Sequence, residues 1–129
     1  MTALVDIELE LITRATARFP DVVVRDELDN NLLNELPTIQ FLQIPGGGYD
    51  GAKLSRMLVD MNVYASDRAS ALRLAADVHE WIMHVLRGST TPTLVIGLIR
   101  CLSLPAELPY ENKALRRAGG TYEIHCHPA

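Results

Sequence analysis

Ile7, Leu11, Ala15 and Phe19, with Leu4 before them, recur at helical spacing, while Glu8, Glu10, Arg14 and Arg18 take the opposite side. This spacing predicts an amphipathic helix over residues 3–19, stopped by Pro20. "DVVVRDEL" reads as a short strand, and "DNNLLNELP" as an irregular polar connection carrying a few leucines. Past Pro37, "TIQFLQI" is strand-like, and in "RMLVDMNVYA" the apolar positions Val59, Met61, Val63 and Ala65 alternate with Leu58, Asp60, Asn62 and Tyr64. The glycines between these two runs then form a flexible loop of a hairpin.

Ser66 or Asp67 is a suitable N-cap for a long second helix, in which Ala71, Ala75, Val78, Ile82 and Val85 hold one face and Gly88 closes the end. Trp81 beside that stripe completes a core. "TLVIGLIRCLSL" is apolar on both faces, as a covered central strand is, and "PAELPYENKALRRAGG" is the longest predicted loop. "TYEIHCH" closes the chain with Tyr122, Ile124 and Cys126 on one side and Glu123, His125 and His127 on the other. The order predicts an α+β fold: a mainly antiparallel sheet of about four to five strands with two helices packed on one face, in one domain spanning residues 1–129.

Composition narrows the function classes. The chain has 129 residues, 48% of them hydrophobic, enough for a real core. Its net charge of −4, with acids and bases mixed, lacks the footprint of a dedicated nucleic-acid binder. No apolar run approaches the roughly 20 residues of a membrane span, and "MTALVDIELE" lacks a basic start and a cleavage site, so cytoplasmic synthesis is expected. Cys101 and Cys126 read as buried thiols in a reducing compartment.

"IPGGGYDGAKLS" is the stretch closest to a chemical motif. Gly46 and Gly51 have P-loop separation, but Ala52 follows Gly51, Lys53 comes one place late and Leu54 separates it from Ser55; a strand follows where a P-loop needs a helix. His125 and His127 are too few for a closed zinc site, and Glu80–His84 and Arg73–Asp77 read as surface pairs along a helix. No catalytic constellation, cofactor site or metal site is expected from these residues.

Three segments together carry a resemblance: "ELPTIQFLQIPGGG", "RMLVDMNVYASDRASALRLAADVHEWI" and "ENKALRRAGGTYEIHC". Their order resembles the tail terminator (tail completion, minor tail) proteins of long-tailed siphophages. It departs from them in "SLPAELPYENKA", where relatives often carry a glycine-proline and aromatic cluster. The resemblance implies a structural virion protein of the tail and neck, assembled in the host cytoplasm and without enzymatic activity. It implies a homo-oligomeric ring, usually a hexamer, that caps the tail tube protein, ends its polymerisation and meets a head-side connector or stopper protein. DNA then passes through the lumen without specific binding. On that reading Gly46, Gly47, Gly48, Tyr49, Asp50 and Lys53, with Tyr64, Arg116 and Arg117, are expected in subunit or tube contacts, the glycines ordering only on assembly. Asp26, Glu27 and Asp29 are expected to face the lumen. The rival expectation is a small cytoplasmic ligand-binding or regulatory domain that uses the loop between Gly46 and Gly51; a compact hydrolase and an adjacent neck protein are further alternatives.

Overall fold

The computed structural model describes residues 5–28 and 31–129. Helix α1 (Ile7–Arg18) begins where the Asp6 carboxylate accepts from the Leu9 amide at 3.1 Å, and it buries Ile7, Leu11 and Ala15. Leu4, at the head of the predicted stripe, lies outside the described residues. The strands are β1 (Val23–Arg25), β2 (Thr38–Tyr49), β3 (Ser55–Ala65), β4 (Leu94–Leu108) and β5 (Arg116–Pro128). They form a five-stranded sheet in the order β1-β2-β3-β5-β4, antiparallel throughout except for the β1–β2 pair. With α1 and α2 (Arg68–Trp81), this is the predicted α+β fold.

The core lies between the helices and one sheet face. Ile39 and Phe41, Val59, Met61 and Val63, and Ala118, Tyr122 and Ile124 meet Ile7, Leu11, Ala75 and Val78 there. Trp81 is buried edge-on against Phe19, with ring centroids 5.9 Å apart. Asp67 caps α2 by accepting from the Ser70 amide at 2.8 Å. The helix ends in a π turn, Ile82–Leu86, with the Arg87 amide bonded to the Ile82 carbonyl. The extra residue in that turn rotates the stripe: Val85, expected inside, is exposed, and Leu86 is buried in its place.

Two further expectations change. β2 does not stop at residue 44 but runs through the glycines to Tyr49, pairing Gly48 with Arg56 and Tyr49 with Ser55 beyond an irregularity after Ile44. The both-faces-apolar segment is the sheet edge, not its centre. β5 lies between β3 and β4, and β4 extends to Leu108, leaving only residues 109–115 of the predicted long loop outside strands. Three irregularities on β4, between Ile96 and Ile99, Cys101 and Ser103, and Ser103 and Ala106, break its alternation.

Pairing aligns rows across the whole sheet. One runs Val23–Thr38–Tyr64–Arg117–Leu108, and another, two residues along, runs Arg25–Gln40–Asn62–Gly119–Ala106. The end of β1 therefore sits at the same height as the end of β4, on the opposite flank.

Candidate assembly surfaces

The glycine segment belongs to a paired hairpin end, where a loop between the two strands is expected. Gly46 takes φ +116°, a left-handed conformation that side chains resist, and a Cβ at Gly47 would overlap the Arg56 carbonyl oxygen. The turn satisfies itself. One Asp50 carboxylate oxygen accepts from the amides of Ala52, Lys53 and Leu54 at 2.8, 3.0 and 3.1 Å, and the Tyr49 hydroxyl donates to the Ala52 carbonyl. Those amide bonds, the one from Ala52 foremost, hold the Asp50 carboxyl below the usual carboxylate range. The amide nest that would receive an external phosphate thus already holds the chain's own anion. Ser55, the hydroxyl of the near-P-loop, is buried, and its Oγ has no hydrogen-bond partner among the described residues. Lys53 is exposed.

The sheet face away from the helices carries a polar network. The Asn62 amide and the Tyr64 hydroxyl both donate to Gln40 Oε1, at 3.2 and 3.1 Å, while Arg117 Nε donates to Asn62 Oδ1 at 3.2 Å. Tyr64 is only 3% exposed: it packs with Leu32 and Leu115, and Tyr110 lies edge-on at 5.3 Å between centroids. Its ring is thus used inside the chain, contrary to its expected place in a contact surface, and burial pushes its hydroxyl pKa up. Further along, Glu123 is 7% exposed and meets His125 at 2.9 Å, Arg56 at 3.0 Å and Arg100 at 3.8 Å. Hydrogen bonds from His125 and then Arg56 hold its carboxyl below the ordinary range.

At one end of this face lies an open groove of about 460 Å³ lined by Glu107, Leu108, Tyr110, Lys113, Arg116 and Arg117. Glu107 accepts from Arg116 Nη1 at 3.1 Å and faces Arg68 Nε at 3.4 Å. Lys113 has no ion pair among the described residues. The structure thus brings Arg116 and Arg117 together and adds Lys113 and Glu107, whose convergence depends on how β4 pairs with β5. Gly46–Lys53 and this groove are separate surfaces, the first at the β2–β3 turn and the second beside the opposite ends of β4 and β5.

Beyond the groove, Leu98, Leu102 and Leu104 are exposed on edge strand β4, Leu104 at 70%. Sequence reading missed them as surface residues because an apolar run resembles a covered strand. On the other flank, β1 pairs only with residues 38–40 of β2, and the Glu8 carboxylate caps the Gln43 amide beyond that point at 2.7 Å. Asp26 and Glu27 are exposed on the turn leaving β1; Asp29 lies outside the described residues. Among the described residues no group of three or more His, Cys, Asp or Glu could hold a metal ion, and no helix is long and apolar enough to cross a membrane. Cys126 is fully buried, and burial pushes its thiol up to about 11; Cys101 is half-buried and raised for the same reason. Glu80 and His84 pair at 3.2 Å on the exposed side of α2. No protein-family model matches the chain, and no curated protein matches it in sequence.

Proposed function

We propose that this chain is a structural subunit of a tail-terminator ring, which caps a phage tail tube, stops its polymerisation and presents its other axial face to a connector or stopper. The observation that carries this reading is the pair of unlike, incompletely covered flanks on one sheet. β4 is a 15-residue edge strand with exposed leucines, whereas the β1–β2 flank is short, capped by Glu8 and followed by exposed acids. Two different flanks suit a heterologous interface, which closes into a ring when the rotation between subunits is a simple fraction of a turn and leaves two axial faces for two partners. The three resembling segments form most of β2, of β3 with α2, and of β5, the strands that lie between these flanks. The hairpin offers the ligand-loop rival little, since Asp50 fills its amide nest.

Electron microscopy of the purified protein, with sedimentation across a concentration series, is expected to show closed rings. Added to polymerising tail-tube protein of the same phage, the protein is expected to halt growth at a defined length. A monomer at every concentration, or tubes that lengthen unchanged, would overturn the reading.

A further inference from the structure

We infer that the groove formed by Lys113, Arg116 and Arg117 is one half of the subunit joint, and that its occupant is the acidic turn Asp26-Glu27 of a second copy of this chain. The inference rests on the ring reading and says which surfaces make the ring.

Charge is the first support. The chain carries −4 overall, yet Lys113, Arg116 and Arg117 line one groove with the single carboxylate of Glu107, which already pairs with Arg116 and with Arg68 beside the groove. Like charges held together repel, and one carboxylate offsets only part of that repulsion. Lys113 has no anion, and only Nε of the Arg117 guanidinium meets an acceptor among the described residues. On the other flank, Asp26 and Glu27 are exposed and pair with no cation among the described residues; the one bond to an Asp26 carboxylate oxygen comes from the Glu27 amide. Each surface lacks what the other supplies.

Height is the second support. The acids leave β1 directly after Arg25, whose row crosses the sheet through Gln40, Asn62 and Gly119 to Ala106, next to Glu107. A joint between patches at one level on opposite flanks adds subunits sideways with little axial rise. That is the condition for a closed ring; patches at different levels would build a helix. Leu115 and Tyr110 at the groove already belong, with Tyr64 and Leu32, to the satellite cluster on which the chain's own Leu28 packs, so the proposed contact is made by the two carboxylates. The inference assigns Asp26 and Glu27 to the joint instead of the lumen.

Charge exchange tests this. Lys113→Glu with Arg116→Glu, and separately Asp26→Lys with Glu27→Lys, are each expected to lose the ring in sedimentation and microscopy. Combining all four substitutions in one chain, or mixing the two double variants, is expected to restore it, the mixture as alternating rings of even copy number. Lys113→Glu alone, at a side chain with no ion pair among the described residues, serves as the probe if the double variant fails to fold. Intact rings after either reversal, or rings lost but not restored by the fourfold exchange, would overturn the inference while leaving the ring reading standing. Wild-type protein that forms no ring would overturn both.

Discussion

Ser55 shows how a residue that looks chemical becomes structural once it is placed. Its hydroxyl is buried at the start of β3 without a hydrogen-bond partner among the described residues, a state that costs about 1–3 kcal/mol of desolvation. Ser55→Ala is therefore expected to leave stability unchanged or raise it by about 1 kcal/mol, measured by denaturant titration; a clear loss would mean the hydroxyl is satisfied after all. Glu123 gives the opposite case. Its carboxyl is held low by His125 and Arg56, so it contributes stability above its unfolded pKa, near pH 4.3, and that contribution is lost as pH falls through the lower folded value. The melting temperature should fall on the acid side, between about pH 5 and pH 3. Glu123→Gln should start lower near neutrality and show a flatter acid limb. Equal acid limbs in the two proteins would remove Glu123 as a cause.

At the scale of elements, both helices, the hairpin strands and the last strand were legible because each buries one face and so shows its period. The cap of α2 was legible as Ser66 or Asp67 because such a side chain answers a local need of the helix start, and Asp67 is the one that does so. The β4 position was not. A strand apolar on both faces reads as covered, yet neighbour order is set by long-range pairing of β5 with β3, which the local pattern does not encode. The π turn was also hidden, because one extra residue in a turn leaves the composition of the stripe unchanged. Of the candidate site residues, Arg116 and Arg117 were found as a pair, but Lys113 and Glu107 join them only through strand register. Leu98→Thr with Leu104→Thr tests the edge. Both side chains are exposed, so the monomer should keep its stability within about 0.5 kcal/mol. Assembly should weaken, with the ring appearing only at higher protein concentration; unchanged assembly would show that the leucines lie outside any joint.

For the whole molecule, the proposed charge joint predicts a salt dependence. Exposed charge pairs are screened within about 10 Å at 0.1 M salt and about 3 Å at 1 M. Rings held by the groove and the acidic turn should therefore dissociate at higher protein concentration in 1 M salt than in 0.1 M, as read by sedimentation. Rings that grow more stable in 1 M salt would point instead to a joint dominated by the apolar edge, because salting-out strengthens apolar burial.

The three irregularities along β4 bear on how such an edge survives in solution. A straight, regular border of free amides and carbonyls is a template on which any stray extended chain can dock and start a fibril. Here the spacing of those groups is broken at residues 97–98, at 102 and at 104–105. An extended chain therefore meets no regular template there, although the leucines of this edge are uncovered.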